Sequence, residues 1–368
     1  MIRVLQVVTH MNRGGLETML MNYYRYIDRN RVQFDFLTHR SYDGDYGEEI
    51  AAMGGKIYHL PALNPLSFHY RKELSLFFKT HPEYSIVHVH QDCMSAIILR
   101  KAQESGVPCR IAHSHGASQR KDMKYPIKQF YKHLIHKYAT ELIACSDSAG
   151  QWMFCSAPYI LLNNAIDTER FIYDKAKRSE IRKALGLLDN QIVIGHVGNI
   201  TTPKNHRFII EIFVEVLKKQ PHSILLLVGD DKGTEGRAIH SLVKEKNIVQ
   251  SVIFAGVRDD IADLLQAMDV FLFPSLWEGL SLATIEAQAS GLPLLISDQV
   301  SIECKKTDLV HVLSLKDSPS KWANEVLRLY NNTKRSDTTQ QIRDAGFDIK
   351  ESAKKLEAYY IEKANCEA

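Results

Sequence analysis

Short runs of Val, Ile and Leu, separated by amphipathic stretches, recur along almost the whole of this chain of 368 residues. In the first half they fall at 2–8, 32–37, 56–60, 85–90, 109–114, 141–145 and 159–162. In the second half they fall at 192–197, 223–228, 251–255, 269–273, 293–296 and 309–313. Helical periodicity lies between several of them, at 16–27, 94–105, 205–219, 234–246, 259–267, 282–290 and 318–331. Strands apolar on both faces and separated by helices are what a parallel sheet requires, because crossover helices cover both of its surfaces. The chain is too long for one ordinary core, so the two sets predict two doubly wound α/β domains. Around 165–190 the periodicity breaks at Asp167, Asp174, Lys175, Lys177 and Arg178, and a charged helical stretch, 349–364, follows the last strand. We therefore expect domains at 1–170 and 171–348.

Composition narrows the class. Hydrophobic residues at 45% and charged residues at 24% describe a globular chain, neither disordered nor fibrous. No apolar run approaches the roughly 20 residues that span a bilayer, and the polar turn after Val8 is too early for a secretory signal. Cys93, Cys109, Cys145, Cys155, Cys304 and Cys366 form no C-x-x-C pair or zinc spacing, which suggests reduced thiols and a cytoplasmic protein. A formal charge of +3 is too small for a general nucleic-acid binder.

In open parallel sheets ligands sit beyond the carboxyl ends of the strands, so the loops there carry the chemistry. The first loop, Thr9–Thr18, contains Gly14-Gly15 ahead of a helix. That pair is either a simple turn or a place where backbone N–H groups approach an anion. Neither a G-x-G-x-x-G fingerprint nor a Walker A sequence is present. The second loop holds His113 and His115 at the end of a strand, and His88 and His90 repeat that spacing one strand earlier. Without a carboxylate or cysteine partner at a ligand spacing, we expect no metal and read these rings as hydrogen-bonding or proton-handling groups.

The third loop, Gly195–His206, places Lys204 behind Pro203 near the start of a helix, a position that suits an anion such as diphosphate; a solvated lysine, the usual fate of lysine, is the alternative that position alone does not displace. The fourth, Phe273–Ala287, runs from a buried strand through Pro274 into a helix, with Glu278 before the helix and Glu286 among its apolar residues. Buried carboxylates need partners, and a ligand rich in hydroxyls supplies them; a capping carboxylate plus a salt-bridged one is the alternative. Gly279, Leu280 and Ser281 offer backbone N–H groups at the helix start.

Together these loops resemble the retaining nucleotide-sugar glycosyltransferases of family 4, which have the GT-B fold: two Rossmann-like domains facing a cleft, the last helix crossing back to the first domain. The most specific segment is Glu278-x7-Glu286 within P-S-x-x-E-G-x-x-x-x-x-x-E-A. Supporting pieces are Gly14-Gly15, Val197-Gly198 followed by Lys204-Asn205, Leu227-Val228-Gly229, Phe254-Ala255-Gly256-Val257, and Asn163–Asp167 through Phe171. The resemblance implies that Lys204 neutralises the donor diphosphate, helped by amides of Gly15 and of the Leu280–Leu282 turn. It implies ribose contacts from Glu286, sugar contacts from Glu278 and a base lying near Val257 and Arg258. His115, or less directly His113, matches the family's first-domain histidine near the donor sugar.

By the same resemblance Gly14, Gly198, Asn199, Asn205, Gly229 and Leu282 belong to the donor surround, the first domain takes the acceptor, the second takes the nucleotide-sugar, and helix 349–368 packs on the first. The implied reaction is metal-independent, cofactor-free transfer from a nucleotide-sugar, commonly a UDP-sugar, with retention. Asn199 stands where the family commonly has arginine, and Asn164 where it commonly has glycine. Residues 119–138 are basic and aromatic, with Ile127, Phe130, Tyr131, Leu134 and Tyr138 on one helical face. That face either meets anionic lipid or packs on the core. The membrane reading would suit a lipid-linked saccharide acceptor in capsule or exopolysaccharide assembly, with the protein peripheral at the inner leaflet. A UDP-sugar 2-epimerase of the same fold is the competing activity.

Overall fold

The computed structural model describes residues 1–116 and 125–365. Residues 119–124 of the basic stretch, and 366–368, lie outside the described residues. Among the described residues, thirteen strands form two wholly parallel sheets. The first contains β1 (Ile2–Val7), β2 (Val32–Thr38), β3 (Ile57–His59), β4 (Ile86–Val89), β5 (Cys109–Ser114), β6 (Glu141–Ala144) and β7 (Ile160–Leu161), in the order β3-β2-β1-β4-β5-β6-β7. The second contains β8 (Val193–Val197), β9 (Ile224–Val228), β10 (Val252–Phe254), β11 (Val270–Phe273), β12 (Leu294–Ser297) and β13 (Val310–Leu313), in the order β10-β9-β8-β11-β12-β13. Each strand coincides with one of the apolar runs. In both sheets the winding reverses beside the first strand, which opens a crevice between β1 and β4 and another between β8 and β11.

The chain forms two compact units, Met1–Ala165 with Asp348–Ala368, and Ile166–Phe347. The change of unit thus falls five residues before the expected 170/171, because Ile166 and Phe171 already bury their side chains in the second core. In the first unit the helices Gly15–Tyr26 and Ile349–Asn365 cover one face of the sheet, through Met19, Tyr23, Ile349, Ala353, Leu356 and Tyr360. Helices Phe68–Thr80 and Ser95–Glu104 cover the other, through Tyr70, Leu74, Ile98 and Leu99.

Among the described residues, five helices have no counterpart in the periodicity: Gly47–Ala52, Phe68–Thr80, Asp147–Phe154, Lys175–Ala184 and Thr339–Asp344. The supposed break at 165–190 therefore contains a helix, started by the Asp174 carboxylate accepting from the N–H groups of Ala176 and Lys177. Its anchors are guanidinium groups: Arg178 and Arg182 both reach the Asp269 carboxylate, at 2.6 and 2.7 Å.

Helix Tyr125–Tyr138 packs Ile135 and Tyr138 in the core, with Tyr131 and Leu134 against it, while Ile127 and Phe130 remain exposed. Most of that face is therefore core-facing. No helix among the described residues is long and apolar enough to cross a membrane.

Candidate active site

At the second crevice, β8 and β11 are hydrogen-bonded neighbours, so the loops that leave them are bound to meet. Pro203 is the central residue of the turn Thr202–Lys204, and Asn205 takes a left-handed conformation (φ 55°) before helix His206–Leu217. Two bonds stitch this loop to the one after β11: Asn205 Nδ2 donates to the Pro274 carbonyl at 3.1 Å, and Leu276 N–H to the Pro203 carbonyl at 2.8 Å. The stitching carries the Lys204 ammonium onto the Glu278 carboxylate, with the Phe273 ring centroid 4.6 Å away. Both side chains are only partly exposed, at 18% and 24%. On its other side Glu278 is fixed through its main chain, which accepts from Ser301 N–H at 3.1 Å.

Four residues past Glu278 begins the helix Leu282–Ala289, preceded by Ser281, whose carbonyl accepts from the Thr284 hydroxyl at 2.7 Å. Leu280, Ser281 and Leu282 are buried, and Gly279 links them to Glu278. Glu286 is buried as well, and its carboxyl makes no hydrogen bond or ion pair among the described residues. Burial pushes it up to about 7, and the positive charge of Arg170 opposes this only in part. A lysine, a paired glutamate, a helix N-terminus and an unpartnered carboxyl on neighbouring loops suit a ligand that is both anionic and rich in hydroxyls.

The ends of β8, β9 and β10 form the remaining wall. Gly198 N–H donates to Val228, Ile200 N–H to Asp230, and Gly229 N–H to Gly256, at 2.8, 2.8 and 2.9 Å. A Cβ on Gly229 would stand 2.4 Å from the Gly198 carbonyl oxygen, so only glycine allows this approach. Asn199, in the place of the family's arginine, spends its side-chain oxygen on the Asp230 N–H at 2.8 Å and so holds the loops together. Val257 is exposed, and Arg258 pairs with Asp260 at 2.8 Å.

In the first unit, Gly14 and Gly15 open the helix Gly15–Tyr26 as expected for a turn before a helix. The buried Glu17 carboxyl lies against Gly14: a Cβ there would come within 2.5 Å of its Oε2. His10 Nδ1 is 3.3 Å from Glu17 Oε1, and burial raises the Glu17 carboxyl to about 7. An anion approaching Gly14 therefore meets a group that is neutral or negative according to pH. The second-loop histidines gather at the other crevice. His88, His90, His113 and His115 stack with ring centroids 4.0 to 5.1 Å apart, and one nitrogen from each of His88, His90 and His113 lies within 4.8 Å of the others. Burial lowers all four, His88 and His115 to about 3, so the rings are neutral.

Sequence reasoning gave no role to Glu17 or His10, nor to Gln6 and Tyr360, which join the histidines. A carboxylate in a helix's first turn is commonplace; its folding back over a glycine pair depends on tertiary packing.

Two doubly wound parallel-sheet domains, each with polar groups gathered at its switch point, are the GT-B fold of nucleotide-sugar enzymes. Comparison with known proteins agrees in both halves. Glycosyltransferase Family 4 matches residues 13–170, and the Glycosyl transferases group 1 family matches residues 191–332. The glycosyltransferase-class protein EpsF of Bacillus subtilis is 35% identical, across 95% of this chain and 94% of its own. The Escherichia coli UDP-Gal:α-D-GlcNAc-diphosphoundecaprenol α-1,3-galactosyltransferase is 28% identical over 76% of each chain. CapH, a capsular polysaccharide biosynthesis glycosyltransferase of Staphylococcus aureus, is 24% identical over 99% of each. Among solved structures, Anabaena HepE in complex with UDP-glucose superposes with a TM-score of 0.81 at 17% identity, covering 98% of this chain and 100% of that one. The chain belongs to glycosyltransferase family 4 and is a glycosyltransferase of polysaccharide biosynthesis.

Proposed function

We propose that this enzyme moves a hexose or N-acetylhexosamine from a UDP-sugar to a lipid-linked saccharide, with retention of anomeric configuration and without a metal or other cofactor. The observation that carries the donor side is the Lys204–Glu278 pair at the β8/β11 switch point, followed in the next helix by the unpartnered Glu286 carboxyl. The UDP-glucose bound to HepE and the diphosphoundecaprenol-linked substrate of the E. coli relative support the choice of donor and acceptor class.

Cleaving the anomeric C–O bond leaves positive character on the sugar and negative charge on the departing diphosphate. Lys204 and the N–H groups of Gly279–Leu282 oppose the latter, and a cation placed there acts mainly in the transition state. Glu286 accepts from ribose hydroxyls, and Glu278, freed when the diphosphate takes over Lys204, accepts from hydroxyls of the transferred sugar. Gly198, Gly229, Val257 and Arg258 surround the nucleotide, and the family resemblance assigns His115 and the Gly14-Gly15 loop to the sugar. The exposed Ile127 and Phe130 beside Lys128 would let helix Tyr125–Tyr138 touch an anionic bilayer that carries the acceptor, which vesicle co-sedimentation can read.

The test is donor binding and slow hydrolysis across UDP-, GDP- and ADP-sugars in EDTA, for wild type, Lys204→Ala and Glu278→Ala. One intact UDP-sugar should bind and turn over without metal, with kcat/KM falling about 100-fold or more in Lys204→Ala. Turnover that needs a divalent ion, or that ignores both substitutions, would reject this account of the site.

A further inference from the structure

The four stacked histidines are joined by hydrogen bonds into a single chain that runs through two residues of no evident catalytic type. His115 Nε2 lies 2.8 Å from His90 Nδ1, and His90 Nε2 lies 2.9 Å from Gln6 Oε1. Gln6 Nε2 donates to the Tyr360 hydroxyl at 3.2 Å. That hydroxyl is 2.6 Å from His88 Nδ1, and His88 Nε2 is 3.1 Å from His113 Nδ1. Gln6 and His88 are register partners on β1 and β4, and Tyr360 comes from the helix Ile349–Asn365. All the rings but His115 are buried, as are Gln6 and Tyr360.

A neutral imidazole has one donor and one acceptor nitrogen, so each bond in such a chain dictates the next. The amide oxygen of Gln6 can only accept, which places the His90 proton on Nε2 and leaves His90 Nδ1 to accept. His115 must then donate from Nε2, and its Nδ1 is left bare. In the other direction Gln6 donates to Tyr360, Tyr360 donates to His88 Nδ1, and His88 donates from Nε2 to His113. The 2.6 Å contact is compatible with this polarity, in which the tyrosine hydroxyl donates to the bare His88 Nδ1. Turning the amide round would reverse every donor in the chain. The same bonds argue against a metal among His88, His90 and His113, since both nitrogens of His88 and of His90 are already engaged.

We propose that Gln6 and Tyr360 are positioning residues that fix the tautomer of His115, so that the ring offers substrate a bare Nδ1 lone pair and accepts from a sugar hydroxyl. The substrate half rests on the reading of His115 given under Proposed function; the tautomer half does not. Selective 15N-histidine NMR of the full-length protein at neutral pH reads the two separately from activity. The expected spectrum has a single His115 species protonated at Nε2, with His90 likewise and His88 matching it. Gln6→Met and Tyr360→Phe, neither of which touches His115, should each turn that species into a mixture of tautomers. The same variants should lower kcat/KM by two- to tenfold with little change in KM for the donor.

A wild-type His115 protonated at Nδ1 would overturn the proposal without any variant having to fold. So would an unchanged single tautomer in both variants, or stoichiometric zinc retained by the purified protein. If the spectra behave as expected but His115→Ala leaves kcat/KM unaltered, the contact with substrate is refuted while the proton arrangement stands.

Discussion

Glu286 and Gln288 sit two residues apart in one short helix, both buried, and their surroundings treat them oppositely. Gln288 Nε2 donates to the Thr284 and Cys304 carbonyls at 2.9 and 2.8 Å, while its oxygen accepts from Lys306 N–H and from the N–H and hydroxyl of Thr307. Glu286 has no such partner, and its carboxyl is pushed from the ordinary 4.5 up to about 7. An acid whose folded value is raised holds a proton that the unfolded chain has already lost. Stability from this group therefore falls as pH rises between about 4.5 and 7, and stays lost above. At 1.4 kcal/mol per unit the loss is on the order of 3 kcal/mol. Glu286→Gln is neutral throughout, so in urea denaturation it should exceed wild type by roughly 1–3 kcal/mol at pH 8 and match it near pH 4. The same variant should bind UDP more weakly, as expected of a site that trades stability for function. Equal stability at pH 8 would mean that Glu286 is ionised and paired. The sequence marked Glu286 by placing an acid among apolar helix positions, but that Gln288 finds five partners and Glu286 none is decided by strands and loops distant in the chain.

At the scale of elements, the site is made by loops that hold one another. The turns after β8, β9 and β10 are tied through Gly198, Asn199, Gly229 and Gly256, and the closest approach is backbone to backbone at Gly229. Gly229→Ala must push the Gly198 peptide away, and Gly229 has φ +143°, so no flexible side chain can absorb the change. We expect a loss of roughly 2–3 kcal/mol together with about tenfold weaker donor binding, read by thermal denaturation and UDP titration. Unaltered binding would separate this wall from the donor. These strands were legible because parallel sheets bury both faces and leave continuous apolar runs. The helix Lys175–Ala184 was not, since Ile181 is nearly its sole contribution to the apolar core and the Arg178 and Arg182 bonds to Asp269 do the anchoring. A guanidinium anchor leaves no hydrophobic period to read. The loop chemistry after β11 was legible for the opposite reason, because proline, glycine and two acids interrupt an otherwise apolar segment.

At the scale of the whole molecule, the two units differ in how the chain builds them. Ile166–Phe347 is continuous and contains every residue assigned to the diphosphate and nucleotide except those of the Gly14-Gly15 loop. The first unit is discontinuous, and the helix Ile349–Asn365 returns to complete it. That helix buries Ile349, Ala353, Leu356 and Tyr360 in the first core, and pairs Lys363 and Tyr359 with Glu141. Losing an Ile, a Leu and a Tyr from a core costs on the order of 10 kcal/mol together, as much as the whole stability of an ordinary domain. Residues 1–165 alone should therefore fail to fold, whereas 166–347 alone should fold cooperatively and bind UDP within about tenfold of the intact enzyme. Circular dichroism melts and calorimetric titration of the two fragments check this. A 1–165 fragment that melts cooperatively would show that the closing helix only decorates the first unit. A folded 166–347 fragment that ignores UDP would move the nucleotide to residues of the first unit, with the Gly14-Gly15 loop and Glu17 the first to test.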